Sequence, residues 1–218
     1  MPPSERSRSL VSGRALRMAA SVSRGIGCLS GYAVPTYYGL WFYCVRLCML
    51  SLWKRRVGFA GSVLFVCLGN ICRSPTAEGV FRAAADRAGL GRRIHADSAG
   101  IGDWHIGSPP DPRAIKAAKR RGYDLSAIRG RRVKAADFAR FGWILAMDES
   151  NLKALDAMKP AEYDGRLGLL LDFAPELGLR EIPDPYYGGP EGFDRVLDLM
   201  EPAMDGLVAE MRAAILQR

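Results

Sequence analysis

A short apolar run, Ser62-Val-Leu-Phe-Val-Cys67, breaks off in Leu-Gly-Asn and is followed by Ser74-Pro75. A run without polar alternation describes a strand buried on both faces, as in a parallel sheet. Leu-Gly-Asn is a turn signal, and Ser74 as N-cap with Pro75 at the first helical position would open a helix. A buried strand feeding a helix through one short loop points to an α/β fold, and the rest of the chain keeps that alternation. Ala77, Val80, Phe81 and Ala84 lie at helical spacing up to Gly89, and Ile94 to Ser98 reads as a strand. Asp111-Pro112 starts a helix that Gly122 stops, and Gly142 to Met147 is a third apolar strand. A helix begins near Glu149, and Gly168 to Leu171 forms a weaker fourth strand. A last helix from Gly192 to Leu216 carries Phe193, Val196, Leu197, Met200, Met204 and Leu207 as a core stripe. Strands alternating with helices imply right-handed crossovers and a parallel sheet.

The net charge of +8 is not spread over this pattern. Residues 1–56 hold nine Lys or Arg and one acid, Glu5, so residues 57–218 are balanced. The chain therefore divides into a basic leader, 1–56, and a domain, 57–218. The leader opens Arg- and Ser-rich, the composition of a transit peptide. Its apolar run from Leu40 to Trp53 is 14 residues broken by Arg46, short of the about 20 that a spanning helix needs. A targeting segment, a peripheral membrane anchor and a segment preceding the true start, at Met18 or Met49, are three readings of it; contact with a membrane is expected only of the second. Of five cysteines, Cys28, Cys44 and Cys48 fall in the leader, and Cys67 and Cys72 open the domain. No disulfide framework or Cys/His zinc cluster can be drawn from them, which fits a reducing, cytoplasmic compartment.

The chemistry concentrates in Cys67-Leu68-Gly69-Asn70-Ile71-Cys72-Arg73-Ser74. Ligands of open α/β sheets bind beyond the carboxyl ends of the strands. A tight Gly/Asn loop can turn backbone amides inward as an anion nest, and the helix N-terminus adds its dipole. Arg73 supplies a planar fork for two phosphate oxygens. Those groups surround the Cys67 sulfur and stabilise its thiolate, which can attack the phosphorus of a bound ester. Of the five cysteines Cys67 alone has an Arg six residues on. The leaving alkoxide or phenoxide needs an acid. Asp184, in Ile182-Pro183-Asp184-Pro185-Tyr186-Tyr187-Gly188-Gly189, is the candidate, and partial burial against the two tyrosines would favour its protonated form.

VLFVCLGNICRSP, SAGIGDWHIGSPPDPRA, ILAMDESNL and IPDPYYGG, in this order over roughly residues 61–217, resemble the low-molecular-weight protein tyrosine phosphatase family. The resemblance implies a three-layer α/β/α domain with a four-stranded parallel sheet, a phosphocysteine intermediate, and no metal or cofactor. It makes Cys67 the nucleophile, Arg73 the phosphate clamp and Asp184 the general acid. Leu68, Gly69, Asn70, Ile71, Cys72 and Ser74 complete the phosphate loop, with Asn70 holding its backbone and Ser74 bonding the thiolate. Ile71, Trp104, Tyr186 and Tyr187 would line the slot for a phenyl ring. Cys72 would form a reversible disulfide with Cys67 that shields the nucleophile. Phosphotyrosine-containing proteins are the implied partners, a cognate tyrosine kinase among them, and Tyr186 and Tyr187 resemble sites at which family members are themselves phosphorylated.

Two departures stand out. Ile128 and Arg132 occupy a stretch where many members carry a His and a Gln, and that His supports the loop Asn. The leader also lies outside the family pattern. Among smaller signals, His95 reads as a structural hydrogen-bonding residue and His105 as a loop stabiliser. Asp148 and Asn151 lie at the right sheet edge but read equally well as helix caps. Lys119 to Lys134 holds seven basic residues with Tyr123 as its one aromatic. That is a solvated rim able to attract acidic phosphoprotein segments rather than a nucleic-acid platform. Three rivals concern the domain itself, and a fourth, a membrane-associated adaptor, rests only on the leader. An arsenate reductase would need cysteines after Cys72, and none exists. A protein-arginine phosphatase of the same fold would tend to have Thr for Ile71 and Phe for Tyr186. A non-catalytic phosphate-binding or redox-sensing module would have lost Cys67 or Asp184.

Overall fold

The structure is a computed structural model that describes residues 61–217, and the readings of the leader lie outside them. Four parallel strands make one sheet: β1 (Ser62–Cys67), β2 (His95–Gly100), β3 (Trp143–Ala146) and β4 (Arg166–Leu169), in the order β2-β1-β3-β4. The helices are α1 (Arg73–Arg87), α2 (Pro112–Arg120), the short α3 (Ala135–Phe138), α4 (Glu149–Met158) and α5 (Pro190–Leu216).

Alternation along β1 sorts the core into two halves. Val63, Phe65 and Cys67 face α1, α2 and α5, packing with Val80, Phe81, Ala114, Val196 and Met200. Leu64 and Val66 face the other way, onto Phe138, Phe141 and Leu155. Both sides of the strand are thus covered, which is why it reads as unbroken apolar sequence and why the domain has three layers. Among the described residues no helix is long and apolar enough to cross a membrane.

Two expected details differ. The fourth strand lies two residues earlier than Gly168–Leu171, because the Asp172 carboxylate accepts the Leu169 amide at 3.1 Å and tightens Leu170–Phe173 into a 3-10 turn. Leu170 and Leu171 are buried, but as core beneath that turn. The last helix begins at Pro190 and runs through Pro202. An interior proline costs about 3 kcal/mol. Around it Leu199, Met200, Met204 and Leu207 are all buried, each worth about 1.5–3 kcal/mol. Packing therefore keeps the helix whole.

Candidate active site

After β1 the chain crosses to β2 on one side, then returns to place β3 on the other. The crevice beyond the end of β1 is the switch point of the sheet, and Cys67 closes that strand. The loop after it folds back over the sulfur. The Asn70 amide donates to Cys67 Sγ at 3.2 Å, and the Ser74 hydroxyl lies 3.0 Å from the same atom. The amides of Leu68, Gly69, Ile71 and Cys72 donate to no acceptor among the described residues. Loop amides without internal partners, beside a helix N-terminus, make an anion cradle.

Asn70 turns the loop with φ at 56°, a left-handed conformation that Asn tolerates better than most side chains. Its side chain fixes that turn from three directions. Nδ2 donates to Ser74 Oγ at 2.9 Å and to Ser98 Oγ at 3.0 Å, while Oδ1 accepts the Arg131 amide at 2.9 Å. Ser98 in turn donates to Glu78 Oε2 at 2.7 Å. Burial pushes the Glu78 carboxyl up, against the pull of Ser98 and Arg82. The departure at Ile128 therefore does not leave Asn70 unsupported, because a backbone amide and two serines satisfy it. At the end of β2, Gly100 lies against the loop: a Cβ there would stand 3.0 Å from the Gly69 carbonyl carbon and the Leu68 oxygen. A side chain at this position would push the phosphate loop's backbone away by a few tenths of an ångström.

Ser74 is not the N-cap. Helix α1 starts two residues earlier than expected, at Arg73, with Cys72 in the cap position and no side-chain cap bond. The Ser74 hydroxyl is engaged elsewhere. Its oxygen accepts from Asn70, which leaves its proton for the Cys67 sulfur or for the Ala99 carbonyl at 3.2 Å.

Arg73 has only 4% of its side chain exposed and holds two carboxylates at 2.6 Å: Asp148 through Nη1 and Asp184 through Nη2. Nη1 also donates to the Ile182 carbonyl at 3.1 Å, whereas Nε is buried without a partner among the described residues. Burial works against the guanidinium's charge, but Cys67, Asp184 and Asp148 more than offset it and raise its pKa. Asp148 serves both purposes that the sequence left open. Its Oδ1 caps α4 on the Asn151 amide at 2.7 Å, and its Oδ2 braces Arg73.

A cavity of about 390 Å³ opens over this loop, large enough for an aryl phosphate. Cys67, Ile71, Arg73, Trp104, Asp184, Tyr186 and Tyr187 all line it, so the residues singled out across the sequence converge. Two placements correct expectation. Asp184 is not wrapped by the tyrosines: its side chain is 40% exposed, held by Arg73 and by the Tyr186 amide at 3.1 Å. Pro185 turns the chain so that Tyr187 stands 97% exposed, packed edge-on against the Tyr186 ring. His105 also lines the cavity, its ring over Gly69, and so belongs to the site as well as to its loop. His95 stacks on Phe141, and among the described residues its ring makes no hydrogen bond. In the Lys119–Lys134 stretch, Arg120, Arg121, Arg131 and Arg132 are each paired to carboxylates. The rim is therefore less attractive to acidic segments than its composition implies.

Cys67 and Cys72 are both free and buried. Burial first, then the negative charges of Asp111, Cys67 and Asp184, push the Cys72 thiol up to about 12. At pH 7 it is a neutral thiol. Iodoacetamide at pH 7, followed by peptide mass mapping, is expected to leave Cys72 unmodified, since the thiolate is the reactive form.

A family model for the low molecular weight phosphotyrosine protein phosphatases matches residues 62–216. A low molecular weight protein-tyrosine-phosphatase of Streptomyces coelicolor is 43% identical over 156 residues, 70% of this chain and 94% of its own. Among solved structures, a protein tyrosine phosphatase of Entamoeba histolytica aligns with a TM-score of 0.68 at 40% identity, covering 70% of this chain and 97% of its own. YfkJ of Bacillus subtilis aligns with a TM-score of 0.66 at 40% identity, over 70% and 95%. Matched by the family model over its whole described domain, and by relatives along nearly their full length, the chain belongs to the low molecular weight phosphotyrosine protein phosphatase family.

Proposed function

We propose that this protein-tyrosine phosphatase works through Cys67 as nucleophile, Arg73 as phosphate clamp and Asp184 as general acid and base. The observation that carries the reading is the Cys67 sulfur, held by the Asn70 amide and the Ser74 hydroxyl in the cavity that Arg73 and Asp184 also line.

A phosphotyrosine entering between Trp104 and the tyrosines sets its phosphate over Cys67. The loop amides and Arg73 take its oxygens, with Nε, which lacks an internal partner, among the donors. Arg73 then exchanges its bond to Asp184 for one to the dianion, while Asp148 keeps it in place. With Arg73 turned to the dianion, Asp184 is released to face the leaving oxygen. The Cys67 sulfur bonds to phosphorus, the P–O bond to tyrosine breaks, and Asp184 gives its proton to the leaving phenoxide. Water next attacks the phosphocysteine, giving its proton back to Asp184. Phosphate leaves, and the departing sulfur takes the Ser74 hydrogen bond. The cradle's pre-set donors lower both barriers.

Residues 57–218 carry this activity and residues 1–56 are a separate leader, a division supported by the limits of the family match. The need for a reduced Cys67 favours a cytoplasmic setting. The exposure of Tyr187 supports a cognate tyrosine kinase as a further partner. Under peroxide, Cys67 oxidised to a sulfenic acid would condense with the Cys72 thiol, releasing water and forming a disulfide that a dithiol reverses.

Side-by-side assay of the full chain on phosphotyrosine and phosphoarginine peptides tests the substrate. Release of phosphate from the first and not the second is expected. Preference for phosphoarginine would overturn the reading.

A further inference from the structure

We infer that Arg113, on the first turn of α2, is a positioning residue that ties the loop bearing Asp184 to the phosphate loop. The inference rests on the acid role proposed for Asp184. Residues 183–188 join α5 to the sheet but contain no secondary structure, and few bonds hold them down. Among the described residues, their hydrogen bonds to the rest of the chain come from two arginines. Arg73 holds the Asp184 carboxylate, while Arg113 donates to the Tyr186 carbonyl at 3.0 Å and to the Gly188 carbonyl at 3.3 Å.

The opposite side of the Arg113 fork is equally specific. Nε and Nη2 bond the two oxygens of Asp111 at 3.1 and 2.9 Å, a bidentate pair, and the guanidinium carbon sits 4.7 Å from the Phe193 ring centroid. The Asp111 amide donates to the Ile71 carbonyl at 2.7 Å, so Asp111 is anchored to the phosphate loop itself. The path from nucleophile loop to acid loop is Ile71, Asp111, Arg113, Tyr186, with Asp184 bonded to the Tyr186 amide. A lysine could not make this bridge, because its ammonium lacks the planar, multiply directed donors.

The tether matters most when it is the one left. A substrate dianion that takes the Arg73 guanidinium loosens the Arg73–Asp184 pair at the moment Asp184 must aim its proton at the phenolic oxygen. Among the described residues Arg113 makes no hydrogen bond to the Cys67 sulfur or to the phosphate-loop amides, so it can hold the acid loop throughout.

The test is a double-mutant cycle on kcat/KM with two substrates, a phosphotyrosine peptide and 2,4-dinitrophenyl phosphate. R113M keeps the apolar stem over Phe193 and removes the fork, R113K keeps only the charge, and each is made with and without D184A. Thermal melts are recorded for every variant. Loosening the acid should cost R113M about 10-fold to 100-fold on phosphotyrosine, with much less loss on the activated ester, and R113K should recover only part of it. In the D184A background R113M should cost nothing further, since no acid remains to be positioned. Equal losses on both substrates, full recovery by lysine, or an undiminished loss in the D184A background would overturn the inference. If D184A itself shows no dependence on the leaving group, the acid role falls first and this inference falls with it. Wild-type hydrolysis with an intact Cys67 dependence would then show that the phosphatase reading itself still stands.

Discussion

Replacing Cys67 with serine is expected to reduce hydrolysis of any phosphate monoester by a factor on the order of 10⁴ or more, while inorganic phosphate still binds. The two halves of this result have separate causes. A serine hydroxyl is a far weaker nucleophile than a thiolate, and the site contains no base bonded to it: its neighbours are the Asn70 amide and the Ser74 hydroxyl. The anion cradle, however, does not depend on sulfur. Arg73 stays braced by Asp148, and Asn70 keeps its bonds to Ser74, Ser98 and the Arg131 amide. Steady-state rates and isothermal titration with phosphate check the two together. Loss of binding along with rate would mean that the substitution had collapsed the loop.

For Asp184→Ala the expected outcome is selective. With a phosphotyrosine peptide, whose phenol is a poor leaving group, kcat/KM should fall by about 10²–10⁴. With 2,4-dinitrophenyl phosphate, whose phenoxide leaves without a proton, the loss should be small. Removing Asp184 also frees one side of Arg73, which keeps Asp148 as its partner, so the clamp is not left as an unpaired buried charge. Phosphate affinity should therefore hold or improve. Equal losses with both leaving groups would take the acid role away from Asp184.

Much of the fold could be read from the residues because parallel strands buried on both faces announce themselves. Val63 to Cys67 and Trp143 to Ala146 are continuous apolar runs with no competing reading. The same rule misplaced the fourth strand, since Leu170 and Leu171 are just as buried in a 3-10 turn, and what ends the ladder is a single side-chain bond from Asp172. Local capping signals were misleading at the site itself. Ser74-Pro75 has the form of a helix start, but the hydroxyl is committed to the sulfur and to Asn70, contacts that do not exist until β1 and α1 are packed.

The loop Cys67–Ser74 was legible because its chemistry lies within eight consecutive residues. The groups that support it do not. Glu78 to Ser98, Asp148 to Arg73 and Arg113 to Tyr186 join segments far apart in the chain, and of these supporting groups only Asp148, by its place after the third strand, could be singled out from the sequence. Asp184 was found from its turn and its neighbours, yet its true partner is Arg73, 111 residues away, rather than the adjoining tyrosines. Second partners of this kind follow from topology, which brings the ends of β1, β2 and β3 to one edge.

The most direct measurement of the central claim is rapid-quench trapping during turnover of a ³²P-labelled phosphotyrosine peptide, with the labelled residue identified by mass spectrometry. Phosphate transferred to the sulfur of residue 67, formed and lost at rates compatible with turnover, is the predicted result. Full turnover with no phosphorylated Cys67 at any time point, or with the label on another residue, would contradict it.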